Sequence, residues 1–230
     1  YTDWSAFIRA YSYPQNNRFQ SRGVASSANG SSFWLTDNHG NLIFFNKQRA
    51  AIFPPYRFGV GGERPEITCM LLDRDGRSVW VGYRTLFFNG SNSPRIVHFD
   101  SDTVKKRINL GSFITSHWTT AIARDSLENL WFASAGTFFR NCRVTVLRDT
   151  IFTKYFKDSE GKEFGKCNTL FVDNSGMVWT HADSGIARFD GSSWQLFGRE
   201  VVSPDLPNAN YSHIIQDKSG TIWFGTEGSG

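Results

Sequence analysis

Asp37, Asp183 and Glu227 are the acids that can share a concavity in this chain, for reasons that the repeat described below supplies. The reaction open to such acids is hydrolysis of a glycosidic bond, which needs two carboxyl groups at a defined separation with their protonation driven apart. No pair among the three has a spacing that fixes such a separation, and no Ser-His-Asp arrangement or metal-ligand cluster accompanies them. Cys69, Cys142 and Cys167 form no CxxC spacing, permit at most one disulfide and leave the compartment open. No metal and no cofactor is expected. A second set of side chains suits binding better than bond-breaking: Tyr83, Arg84, Trp118, His181, Asp183, Tyr211 and Glu227. Aromatic faces stack on the apolar faces of sugars, while arginine and carboxylate groups hold hydroxyls or acids in fixed directions. The expected partner is a small polar ligand, such as an oligosaccharide.

The elements that must position these residues announce themselves as a repeat. Asp217-Lys-Ser-Gly220-Thr-Ile-Trp223 matches Asp173-Asn-Ser-Gly176-Met-Val-Trp179 position for position, and Asp125-Ser-Leu-Glu128-Asn-Leu-Trp131 follows with Glu128 in place of glycine. Asp73 to Trp80 and Ser27 to Trp34 keep the step to glycine but carry one extra residue before the tryptophan. The tryptophans at 34, 80, 131, 179 and 223 are 46, 51, 48 and 44 residues apart, a period that suits propeller blades. The turn chemistry agrees, because an aspartate or serine at the first position can bond the backbone ahead of it and a glycine three residues on accepts a positive φ. Glu128 should then carry the strain that glycine avoids.

Short segments rich in β-branched and aromatic residues flank each turn, as in Thr169–Val172 and Met177–Trp179. The turn Ala182–Gly185, the strand Ile186–Phe189, the turn Asp190–Ser193 and a strand opening at Trp194 complete a four-stranded unit. One such unit cannot bury both faces, so successive units must stack, with a tryptophan in each seam. The fold class is therefore all-β, a β-propeller of about five four-stranded antiparallel blades occupying residues 1–230, alone or as a section of a larger propeller. All five tryptophans are expected to be buried at equivalent places, with less than about one tenth of the chain helical.

Composition fits a folded chain with one sizeable core: 40% of its 230 residues are hydrophobic and 16% aromatic. The net charge of +4, from 25 basic and 21 acidic residues spread along the chain, gives no reason to expect nucleic acid as a partner. Lys105-Lys106-Arg107 reads as the solvated part of an outer strand. No apolar stretch is long enough for a membrane helix, and the start at Tyr1 has no signal pattern, so the expectation is a mature or excised piece.

The segments "AIARDSLENLWFASAG", "LFVDNSGMVWTHADSGIARFDGSSW" and "IIQDKSGTIWFGTEGSG" resemble the two-component regulator propeller repeat, I-x-x-D-x-x-G-x-[IL]-W-[IVF]-G-T-x-x-G. The last copy fits almost throughout. The copy at 173 departs after its tryptophan with Thr180-His181-Ala182, the copy at 125 lacks the turn glycine, and the copy at 27 lacks the aspartate. The resemblance implies a periplasmic or extracellular sensor region of a bacterial hybrid two-component regulator, within a longer, membrane-anchored parent. A homodimer is compatible with it. Trp4 and Phe7 repeat the spacing of Trp194 and Phe197, so the N-terminus reads as the last strand of a blade.

In a propeller the first strand of each blade starts, and the second ends, at one rim, where loops converge. That rim should collect Asp37–His39, Tyr83-Arg84, Ser134-Ala135, His181–Asp183 and Thr226-Glu227 after the tryptophans, and Arg64, His117-Trp118, Asn168 and Asn210-Tyr211 before the first strands. Tyr83 and Arg84 stand where the repeat has threonine. His181 stands where it has glycine, either packed in its strand or turned into the channel. Two other classes compete with ligand sensing. A structural or protein-binding propeller would bury the same rim against another chain, and a lyase or glycosidase would use its acids.

Overall fold

The computed structural model describes residues 19–27, 30–58, 66–84, 96–100, 103–108, 118–135, 143–202, 205 and 210–227. The expected strand at Trp4 and the residues Arg64, His117 and Cys142 lie outside these. The chain divides into two compact units, Tyr1–Ser112 and Phe113–Gly230.

The first unit holds two antiparallel four-stranded blades. The first comprises β1 (Phe19–Ser26), β2 (Ser32–Asp37), β3 (Leu42–Asn46) and β4 (Ala50–Phe53), paired in that order. The second comprises β5 (Glu66–Leu72), β6 (Val79–Arg84), β7 (Ile96–Phe99) and β8 (Val104–Ile108), again in order. The first strands, β1 and β5, lie side by side. Between the sheets is a dry seam of Trp34, Leu42, Phe44, Phe53, Val79, Val81, Tyr83, Val97 and Phe99. Strict alternation on β6 sends Val79, Val81 and Tyr83 into this seam and Trp80 to the opposite face, where its ring stacks on His98 at 4.2 Å. Lys105, Lys106 and Arg107 are exposed on the outer strand β8, as their charge requires.

The second unit holds a blade of β9 (Trp118–Arg124), β10 (Leu130–Ala135), β11 (Arg143–Arg148) and β12 (Ile151–Tyr155). A second blade contains β13 (Leu170–Val172), β14 (Val178–Ala182), β15 (Gly185–Phe189) and β16 (Trp194–Gly198). Two strands of a further blade follow, β17 (Asn210–Gln216) and β18 (Ile222–Glu227). Trp131, Phe189 and Trp194 meet in an aromatic cluster between the first two sheets, with Phe164 from the connecting segment closing over Trp194 at 5.1 Å. The four-stranded order matches the strand and turn boundaries expected for residues 169–198. Regular helix among the described residues amounts to Pro55–Phe58, a 3-10 turn, and Arg199–Val202. No described helix is long and apolar enough to cross a membrane.

The five tryptophans are equivalent in register, each opposing the residue two places before its turn: Ala25, Leu71, Ala123, Phe171 and Ile215. The extra residue of the first two copies is absorbed within the turn. Burial is not uniform, which corrects the expectation. Trp34, Trp80 and Trp131 are buried and Trp179 is half-buried, but Trp223 is 57% exposed. The face of β17–β18 that carries Ile215 and Trp223 has no sheet over it among the described residues, so its tryptophan has no seam to fill.

The repeat aspartate does more than shape the turn. In the last three copies one carboxylate oxygen accepts backbone N–H groups two and four residues on, and the other accepts the indole N–H six residues on. Those indole bonds are Trp131 to Asp125 (2.9 Å), Trp179 to Asp173 (2.7 Å) and Trp223 to Asp217 (2.9 Å). The longer turns lose this link. Asp75 takes over the turn amides, Asp73 faces His98 Nε2 at 2.8 Å, and Trp34 donates instead to the Arg77 carbonyl at 3.0 Å. Glu128 adopts φ +67°, beside Gly176 at +85° and Gly220 at +91°, so the strain expected from its place in the repeat is present.

Candidate functional site

Register places the expected rim residues at one end of their sheets. In the first unit, Glu66 opposes Arg84 and Ile67 opposes Tyr83. In the second, Trp118 opposes Ala135, Ala182 closes against Gly185, and Asn210 opposes Glu227. The starts of first strands and ends of second strands thus share a rim within each unit, as blade geometry requires.

What stands open on that rim differs from the expected set. Tyr83 is 1% exposed and belongs to the seam between the first two blades, where burial raises its hydroxyl pKa. Tyr211 is 2% and His181 0% exposed, packed edge to face at 5.6 Å, with Phe224 on the far side of Tyr211. These three are core side chains. Their β-positions turn inward on alternation, and Tyr83 and Tyr211 supply ring area that small repeat residues would not. The backbone N–H of His181 is directed at Thr169 Oγ1 (3.3 Å), while both ring nitrogens lack a hydrogen-bond partner among the described residues. Burial, then the positive Arg199 and Lys166, push its pKa down to about 4, so the ring is neutral at pH 7.

Arg84 is partly open and faces Glu66 Oε2 at 3.5 Å, an ionic partner that spacing along the chain did not suggest but that strand register supplies. Asp183 is exposed in the β14–β15 turn. Its N–H donates to the Phe164 carbonyl (2.7 Å), and its own carbonyl accepts from Arg199 Nη2 (2.7 Å). Gly165, at φ +71°, lies against the Asp183 side chain, and a Cβ there would collide with the carboxylate. The turn is therefore held from two sides, leaving the carboxylate presented on a fixed backbone. Trp118 and Glu227 sit at the rim by register, though their side chains are outside the described set. Asp37, by contrast, is buried, and its oxygens are taken up by the His39 and Asn41 amides, which makes it a turn residue. Among the described residues no three His, Cys, Asp or Glu side chains come together as metal ligands. Cys69 and Cys167 are buried, and burial raises the Cys69 pKa to about 12. Sequence patterns passed over Glu66, Gly165 and Arg199, because the contacts that make them matter come from tertiary structure.

No curated protein matches the chain in sequence. Among solved structures, it is similar to the extracellular domain of the hybrid two-component system BT3049 from B. thetaiotaomicron, with 19% identity over 87% of this chain and 25% of that one, at a TM-score of 0.63. PorZ, a surface component of the type-IX secretion system of Porphyromonas gingivalis, is similar over 90% of this chain and 31% of its own, with 17% identity and a TM-score of 0.66. Virginiamycin B lyase from Staphylococcus aureus is similar over 92% of this chain and 64% of its own, with 14% identity and a TM-score of 0.62. The chain thus spans a quarter to under two thirds of the length of these proteins, and at such identities the likeness is one of fold. Residues 205–228 match the family model for the two component regulator propeller. The chain is therefore a β-propeller that carries the two-component regulator propeller repeat.

Proposed function

We propose that this chain is a ligand-sensing region of a two-component signalling protein, displayed outside the cytoplasm, and that it binds a carbohydrate or similar polar ligand without catalysis. The observation that carries this reading is the repeat at residues 205–228, on strands whose starts and ends bring polar and aromatic residues to a common rim. The likeness to the BT3049 extracellular domain supports it. In the second unit Trp118, Asp183 and Glu227 belong to strand ends and a turn on that rim, an aromatic residue and two acids, residue types suited to stacking on a sugar ring while accepting from its hydroxyls. The buried His181 and Tyr211 stiffen the floor beneath. In the first unit Arg84, steadied by Glu66, is a separate polar contact. The test is calorimetric titration of an oligosaccharide array against the wild-type chain and the Trp118→Ala/Asp183→Ala variant. A saccharide that binds the wild type at least about tenfold more tightly than the variant, with equal melting temperatures, is the expected result. Equal binding to both would remove this rim from the function.

A further inference from the structure

The segment Phe164-Gly165-Lys166-Cys167-Asn168 leads into β13 along the rim of the second unit, and the proposed function leaves Lys166 without a role. Its path is fixed at both ends. Phe164 and Cys167 are fully buried in the core between the two sheets. The Phe164 N–H donates to the Phe156 carbonyl (2.9 Å), the Phe164 carbonyl accepts the Asp183 N–H (2.7 Å), and the Cys167 carbonyl accepts the Thr120 hydroxyl of β9 (2.8 Å). Gly165 lies against the Asp183 side chain. Lys166 is therefore set on a fixed backbone between two anchored residues, one position from the glycine that the Asp183 carboxylate touches.

This part of the rim is polar and unsatisfied. Lys166 is half-buried and pairs with no carboxylate among the described residues, whereas Lys157 and Lys162 of the preceding hairpin face Glu163 (3.8 Å) and Glu160 (2.9 Å). The Asp183 carboxylate accepts no hydrogen bond among the described residues, since the turn is held through its backbone. Beneath them the Asn168 side-chain oxygen and both His181 ring nitrogens are buried without partners. Polar groups kept from water without partners cost free energy, so their collection at one place marks a surface whose partners come from elsewhere. The sign of the charge can be read from below. The charged groups acting on His181 are Arg199 and Lys166, both positive, and they help to keep its ring neutral. Arg199 is engaged with the Asp183 carbonyl (2.7 Å), which leaves Lys166 as the cation for an outside group. An ammonium takes a carboxylate through charge-assisted hydrogen bonds, while a carboxylate such as Asp183 accepts from hydroxyls.

From this arrangement we infer that the rim of the second unit, taken as the binding face proposed above, is built for an acidic saccharide, with Lys166 holding its carboxylate and selecting it over a neutral sugar. The test follows the amide resonances of Gly165, Asn168 and Asp183 while the full chain is titrated with glucuronate, glucose or glucosamine. Glucuronate should shift them saturably, glucose at least about tenfold more weakly, and glucosamine no better than glucose. Lys166→Met should weaken glucuronate binding about tenfold or more and leave glucose unchanged, and Lys166→Arg should keep most of the affinity. Lys162→Met, an equal change of charge on the neighbouring hairpin, should leave glucuronate binding as it is, and all three variants should keep the wild-type melting temperature. Glucose or glucosamine bound as tightly as glucuronate would overturn the acidic preference while leaving the rim as the binding face. Equal loss in Lys166→Met and Lys162→Met would replace a site with diffuse charge attraction. No saturable shift with any of the three sugars would remove both this inference and the rim reading on which it rests.

Discussion

His181 allows the buried face of the rim to be tested by pH alone. Its imidazole, carried by β14, is fully buried against the Tyr211 ring, with Arg199 and Lys166 as the charged groups that disfavour protonation. In the unfolded chain the ring takes up a proton near 6.5; in the folded chain it does so only near 4. Between those values the unfolded state binds more protons, so stability falls as pH falls from about 6.5 to about 4 and is flat above that window. A depression of this size corresponds to about 3 kcal/mol. Urea melts of the wild type and His181→Leu from pH 7.5 to 4 isolate it, because His98, whose pKa burial also lowers, is common to both. Asp75, Asp190 and Asp217, held near 2 from a usual 3.8, lose their stabilisation below this window. The wild type should lose about 3 kcal/mol more than the variant over the range. At pH 7 the variant should be within about 1 kcal/mol of the wild type, since the ring nitrogens it removes make no hydrogen bond among the described residues. Parallel pH profiles would show that His181 is not buried as a neutral ring, and the floor of the rim would need rebuilding.

The turns give three further tests, all read by urea denaturation. Gly176→Val should cost about 1 to 3 kcal/mol, because a branched side chain cannot relax at φ +85°. Glu128→Gly should gain a few tenths to about 1 kcal/mol by relieving φ +67°, reduced by loss of the Arg124–Glu128 pair at 3.5 Å, in which Glu128 is the exposed member. Asp173→Ala, which strips both the turn amides and the Trp179 indole of their acceptor, should cost about 2 kcal/mol, and Asp217→Ala measurably less, since its tryptophan is exposed.

Much of the fold was legible because each blade repeats the same local chemistry. The aspartate, the glycine three residues on and the tryptophan mark a turn and the strand after it, and the boundaries of β13 to β16 follow from them. Even the strain at Glu128 could be read by comparing copies. The aspartate–indole bond could not, because it depends on a six-residue offset that becomes meaningful only once the turn length is fixed. The exposure of Trp223 was equally hidden, since burial depends on a neighbouring sheet and not on the strand that bears the ring. At the rim, departures from the repeat pattern marked residues with unusual roles, but Tyr83, His181 and Tyr211 depart in order to fill space.

The most direct test of ligand sensing is a binding isotherm for the intact chain against acidic and neutral oligosaccharides, with Asp183→Ala measured in parallel. Saturable binding of one saccharide, weakened about tenfold or more by Asp183→Ala with an unchanged melting temperature, is the predicted result. Binding by none of them, or unchanged binding to the variant, would contradict it.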